Sequence, residues 1–324
     1  MAKTVQCELC PNGCVLEEGR RSKCRTRMNK DGSLYSLVYG KPCAVHIDPI
    51  EKKPFFHFLP GTTAFSIATA GCVLSCKFCQ NWQISQASPE DTDTYDMPPD
   101  KVVRQAIAHK CRSVTYTYTE PTVFYEYMYD TAVLAKKQGI KNTMHSCGYI
   151  NEKPLRHLSN YLDAADIDLK AFTEDFYDRI CGGSLKPVLN ALVALKQEGV
   201  WLEITNLVIS TLNDDMKNIR EMSKWIVKNL GSDVPLHFSR FFPHYKLTNL
   251  PPTPLETLTD ARKTAMDAGL KFVYIGNIRH EAESTFCPQC RKLLIERIGY
   301  VVKQNHIANG KCRFCGTSIS GVWS

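Results

Sequence analysis

Three cysteines in the segment Gly71-Cys72-Val73-Leu74-Ser75-Cys76-Lys77-Phe78-Cys79-Gln80-Asn81-Trp82 bring three soft thiolates into one short loop. Such ligands suit iron–sulfur clusters and zinc, and a four-iron cluster ordinarily takes four of them. With only three in the loop, one iron is left open to bind something else. The alternatives are zinc with a distant fourth ligand, or thiols that only pack; zinc sites more often arise from paired CxxC units that close a tetrahedron.

Two further cysteine groups flank this loop. Cys7, Cys10, Cys14 and Cys24 sit near the front, where Pro11, Gly13 and Gly19 bend the chain, and could hold structural zinc or a second iron–sulfur cluster. Cys287, Cys290, Cys312 and Cys315 form two CxxC pairs around a strand-like stretch, the pattern of a zinc ribbon whose metal would be structural. Cys43 and Cys147 read as buried small hydrophobes. Lys303, Lys311 and Arg313 make a modest basic patch, so nucleic acid is not excluded as a partner.

The 324 residues carry a net charge of +7, with the charges interspersed. The length suits an α/β barrel with two small appendages. No signal-like apolar stretch opens the chain and no window is apolar enough to span a bilayer, which predicts a cytoplasmic protein without a membrane partner. With fifteen cysteines in the chain, the eleven in clustered spacings then read as metal ligands rather than disulfides.

Between the loop and the last cysteines, apolar β-branched segments alternate with amphipathic ones. Strands are predicted at 64–69, 113–118, 142–147, 166–170, 202–209, 236–241 and 272–275, and helices at 101–109, 122–137, 187–197, 214–228 and 254–268. Repeated strand–helix–strand units imply a parallel sheet, an open or partial barrel of about six βα units. The expected division is a Cys-rich module at 1–45, a barrel at 46–282 and a ribbon-like module at 283–324.

Reactive groups of such barrels collect at the strand C-terminal ends. In Asp166-Ile167-Asp168-Leu169-Lys170, alternation puts the three charged residues on one face and the apolar ones on the other. Charges facing a barrel interior must be paired or bind something polar. An internal salt-bridge network without a ligand is the alternative.

The Cys72/Cys76/Cys79 pattern resembles the radical S-adenosylmethionine (radical SAM) superfamily. The whole chain is similar to the radical SAM member of the AmmeMemoRadiSam system, a relative of the pyruvate formate-lyase activating enzymes. That likeness rests on the cysteine-rich front, the stretch from Ile47 to Gly61, the Cys-Lys-Phe-Cys-Gln-Asn-Trp loop, His-Phe-Ser-Arg-Phe, and the ribbon ending Gly321-Val322-Trp323. The resemblance implies a partial (β/α)6 TIM-like barrel, a [4Fe–4S] cluster on Cys72, Cys76 and Cys79, and SAM chelated at the open iron. It implies SAM contacts at Phe78, Glu120, Ser146, Asp168, Lys170 and His237, with His244 as a rival to His237. It further implies an electron donor such as ferredoxin or flavodoxin, and by genomic association Memo-like and AMMECR-like companions. The implied reaction is reductive cleavage of SAM to methionine and a 5′-deoxyadenosyl radical that takes hydrogen from a small metabolite. A protein-radical activase is the alternative within the superfamily, and an RNA- or protein-binding module with a vestigial cluster is the alternative outside it.

Overall fold

A computed structural model of the chain describes residues 3–324. Its central sheet has eight strands lying side by side in chain order: β1 (Ala44–Pro49), β2 (Thr63–Ala68), β3 (Ser113–Tyr116), β4 (Lys141–Ser146), β5 (Ala164–Asp168), β6 (Trp201–Val208), β7 (Leu236–Arg240) and β8 (Val273–Gly276). All neighbours from β2 to β8 pair parallel, and β1 joins β2 antiparallel at one edge. The expected barrel is present, and its parallel strands fall on the seven predicted segments, one more than a six-unit barrel needs. The antiparallel strand was not among the predicted ones; it runs into the Ile47–Gly61 stretch and crosses the boundary expected at residue 45.

Helices α1 (Pro99–Ala108), α2 (Tyr125–Lys137), α3 (Glu152–Ser159), α4 (Leu185–Gln197), α5 (Met216–Asn229) and α6 (Leu255–Asp267) form the crossovers. In α4, Val188, Ala191, Leu192 and Leu195 recur at helical spacing and are buried, giving the apolar stripe that docks on the sheet. The outward faces of the strands complement it: Val114, Met144, Ala165, Ile167, Ile204, Phe238 and Ile275 belong to the main core. The inward faces are polar. Ser66, Thr115 and Thr143 lie side by side, as do Asp166 and Glu203, and Thr205 and His237, and all seven are buried. This alternation confirms that the Asp166 and Asp168 stripe faces the interior, although β5 ends at Asp168. Lys170 returns to the stripe through a turn, in which the Leu169 N–H donates to the Ile167 carbonyl at 3.0 Å.

The first forty residues add two small hairpins, Val5–Gln6 with Val15–Leu16 and Arg27–Lys30 with Ser33–Ser36. They lie against the barrel, where the buried Arg27 makes a bidentate bond to Glu126 of α2 at 2.8 and 2.6 Å. The C-terminal module is a three-stranded antiparallel sheet, β9 (Thr285–Phe286), β10 (Leu293–Ile298) and β11 (Val301–Asn305), with its own small core. Phe56, Phe272 and Tyr274 of the barrel region share that core. The Val322 N–H donates to the His57 carbonyl and the Leu59 N–H to the Val322 carbonyl, both at 2.7 Å. The segment between β1 and β2 is therefore gripped between barrel and module.

Candidate active site

A cavity of about 360 Å³ opens at the C-terminal ends of the parallel strands, within the roughly 300–1,000 Å³ common for small-molecule and cofactor sites. Cys72, Cys76, Cys79 and Phe78 line it from the loop after β2, Thr117–Glu120 from the end of β3, His145–Cys147 from β4, and Asp168 and Lys170 from β5. The rest of the wall is Thr205, Ser239 and Asn277 from β6 to β8, Lys52–Pro54, and Tyr300 from the turn between β10 and β11.

The cysteine loop is strapped on several sides. The Ser75 and Lys77 N–H groups donate to the Cys181 and Ile180 carbonyls at 2.9 and 3.0 Å, the Gln86 amide to the Leu74 carbonyl at 3.1 Å, and the Asn12 amide to the Val73 carbonyl at 2.8 Å. Gly71 enters the loop at φ +91°, and a Cβ there would meet the Cys24 carbonyl oxygen at 2.5 Å. The glycine makes room for the front of the chain.

Glu120 is buried and almost saturated. Its Oε1 accepts from the Thr122 N–H and hydroxyl and from the Ser146 hydroxyl at 3.1, 2.7 and 2.8 Å, and Oε2 accepts from the Cys147 N–H at 2.8 Å. Oε2 has one lone pair without a partner in the protein, and Glu120 is part of the cavity lining. Ser146 is thus spent on holding Glu120. Beside it, Lys170 Nζ reaches Asp168 Oδ2 at 2.9 Å and lies 5.6 Å from the centre of the Phe78 ring. Burial works against both charges, but the pair outweighs it: Asp168 is held below the ordinary carboxylate value by Lys170 and His145, and Lys170 is raised well above the ordinary lysine value by Asp168 and nearby thiols.

His145 belongs to this array and was passed over in the sequence, because a lone histidine near a strand end carries no spacing signal. Its Nδ1 bonds Asp166 Oδ1 at 2.7 Å and its Nε2 lies 3.7 Å from Asp168 Oδ2. Burial disfavours its cation, yet the two carboxylates raise its pKa. Lys53 was missed as well. Its ammonium pairs with Asp48 at 2.7 Å over the Tyr118 ring, and burial outweighs Asp48 to bring it down to about 8.

His237 does not line the cavity. It sits deeper in the barrel, where Nε2 meets Glu203 Oε2 at 2.7 Å and Phe56 covers the ring. Glu203 also accepts the Phe56 and His57 N–H groups and the Trp201 indole at 3.0, 2.8 and 3.1 Å. His57 Nδ1 faces the Ser320 carbonyl at 2.7 Å and Nε2 the Tyr274 hydroxyl at 2.6 Å, and the Thr285 hydroxyl, itself bonded by Arg297, completes the chain. On β7 it is Ser239, two residues farther along the strand, that reaches the cavity. His244 is not on the wall either.

Three thiols share the cavity with a carboxylate, an ammonium and a carboxylate lone pair. This donor set suits an iron–sulfur cluster and a ligand bearing both amino and carboxyl groups. Residues 66–223 match the family model of the radical SAM superfamily, so the chain contains a radical SAM domain. Such a domain implies a [4Fe–4S] cluster and SAM, and the residues just described fit both. A relative 46% identical over 98% of this chain and 96% of its own is the uncharacterised protein MJ0808 of Methanocaldococcus jannaschii. The pyruvate formate-lyase-activating enzyme of Clostridium pasteurianum is 27% identical over 49% of this chain and 67% of its own. Among solved structures, Streptococcus suis SuiB bound to S-adenosylmethionine superposes with TM-score 0.54 at 14% identity, covering 70% of this chain and 53% of that one, and shares the fold. No described helix is long and apolar enough to cross a membrane.

Proposed function

We propose that this chain reductively cleaves SAM and directs the resulting radical at a small metabolite held in the same cavity. When bound, the cluster on Cys72, Cys76 and Cys79 supplies the electron that breaks the sulfonium into methionine and a 5′-deoxyadenosyl radical. Asp168, Lys170 and the free lone pair of Glu120 orient the amino acid end of SAM, Phe78 backs Lys170, and Ser146 acts by holding Glu120. His237 belongs to the packing of the barrel instead. The observation that carries the metabolite reading is the cavity lining. Lys52–Pro54 and Tyr300 are part of it, so the ribbon module and the β1–β2 segment narrow the path that a protein substrate would need.

Similarity to pyruvate formate-lyase-activating enzymes supports the second reading, activation of a partner protein. The likeness to the AmmeMemoRadiSam group, with its Memo-like and AMMECR-like companions and a ferredoxin- or flavodoxin-type donor, rests on the motifs of the sequence. Cytoplasmic location, zinc in the ribbon and the three-part division of the chain belong to the same reading.

The test uses reduced, reconstituted enzyme with SAM and extract from cells grown in heavy water, split by mass. The metabolite reading expects deuterium in 5′-deoxyadenosine only with the low-mass fraction. Deuterium appearing only with the protein fraction would overturn it in favour of the activase.

A further inference from the structure

The cysteine groups of this molecule fall into two spacing classes. In the C-terminal module, the sulfurs of Cys287, Cys290, Cys312 and Cys315 all lie within 4.8 Å of one another, with Cys287 to Cys315 at 3.6 Å and Cys290 to Cys312 at 3.8 Å. A single zinc with bonds of about 2.3 Å holds tetrahedral sulfurs about 3.8 Å apart, so this set has mononuclear spacing. Among the described residues, Cys72, Cys76 and Cys79 do not draw together in that way, although they share one wall. Ligands of a four-iron cluster each bond a different iron, which keeps their sulfurs farther apart.

Cys7, Cys10, Cys14 and Cys24 behave like the second class. All four line one hollow, yet no three of their sulfurs come within 4.8 Å of one another. Polar hydrogens lie beside three of the sulfurs: the Asn12 amide is 3.6 Å from Cys10 Sγ, the Lys23 N–H 3.5 Å from Cys14 Sγ, and the Ser22 hydroxyl 3.0 Å from Cys24 Sγ. Hydrogen bonds to ligand sulfurs are a common means of tuning cluster potentials.

We infer that Cys7, Cys10, Cys14 and Cys24 hold a polynuclear iron–sulfur cluster rather than zinc, seated against the backbone of the active loop. Asn12 makes the link, since the amide beside Cys10 also donates to the Val73 carbonyl, and the Cys24 carbonyl fills the space above Gly71. The front of the chain thereby sets the position of the loop that carries Cys72. This rests on the spacing of the thiols and not on which substrate the cavity accepts.

The test is metal and sulfide content of the full chain purified without oxygen, with the spectrum of the reduced protein. For the wild type we expect about eight irons and one zinc per chain, and for the Cys72→Ala/Cys76→Ala/Cys79→Ala variant about four irons, still absorbing near the visible edge and paramagnetic on reduction. Adding Cys10→Ser and Cys14→Ser to that variant should remove the remaining iron. About four irons and two zincs in the wild type, with background iron in the triple variant, would overturn the inference. So would iron that survives the added serines. The wild-type ratio of iron to zinc decides the matter even if a variant fails to fold, and none of these readings depends on SAM cleavage.

Discussion

Two layers of polar residues line the inside of this barrel, and they do opposite things. The upper layer, with Asp168, Lys170, His145 and Glu120, faces a cavity beside three thiols and keeps a lone pair and charged groups available. The lower layer, with Glu203, His237, His57, Tyr274 and Arg297, is enclosed and joins partners from the barrel, the β1–β2 segment and the ribbon module. Both are buried charge in a β-barrel, so charge alone does not mark a ligand site. Position along the strand does: the C-terminal ends reach the cavity, and the residues below them are used up in binding one another.

Substitutions in the two layers should therefore separate stability from activity. The largest expected effect is structural. Glu203→Ala leaves His237 and three N–H donors without their acceptor, and each buried donor left unsatisfied costs about 1–3 kcal/mol. The denaturant midpoint should fall accordingly, while SAM cleavage per folded molecule is retained; loss of cleavage in a fully folded variant would place the lower layer in the site. Asp168→Asn should do the reverse. Removing a charged hydrogen bond of about 1.5–3 kcal/mol weakens SAM binding about 10–100-fold, measured by equilibrium dialysis, with a smaller fall in the unfolding midpoint than for Glu203→Ala because the amide oxygen still accepts from Lys170. Unaltered SAM affinity would remove Asp168 from the upper layer's function.

Acid should loosen the lower layer first. Burial pushes His57 down to about 4, from an ordinary value of 6.5. Its folded pKa is depressed, so the stabilisation is complete above pH 6.5 and is lost as pH falls from there through 4. Unfolding curves across that window should be steeper in pH for the wild type than for His57→Gln, and equal slopes would contradict the neutral assignment. The smallest effect belongs to Tyr300 of the cavity lining. Tyr300→Ala should reduce the substrate-dependent rate severalfold and leave substrate-free SAM cleavage unchanged, which steady-state assays of 5′-deoxyadenosine with and without low-mass extract would show.

Much of the upper layer was legible because it has spacing. CxxxCxxC and the Asp-x-Asp-x-Lys alternation both encode which side chains meet, and the structure brings Cys72, Cys76, Cys79, Phe78, Glu120, Asp168 and Lys170 to one cavity. The lower layer was not, because its partners come from distant segments: His57 to Tyr274 and Phe56 to Glu203 are tertiary contacts with no local pattern. His237 was misplaced for that reason, since a histidine on an inward face looks the same whether a ligand or a glutamate waits opposite. Strand β1 was lost among Pro49, Ile50 and the lysines after it, and α3 because Pro154 stands within its first turn. The ribbon cysteines, in contrast, announce themselves by paired spacing and do converge.

The central claim is that the three thiols of the upper layer are the seat of SAM chemistry. The most direct measurement is 5′-deoxyadenosine formed from SAM by reduced, anaerobically reconstituted protein, compared with the Cys72→Ala/Cys76→Ala/Cys79→Ala variant. The account predicts product from the wild type and none above background from the variant. Equal product from both, or none from a wild type whose cluster and bound SAM are demonstrated, would contradict it, and the latter would favour a binding module over an enzyme.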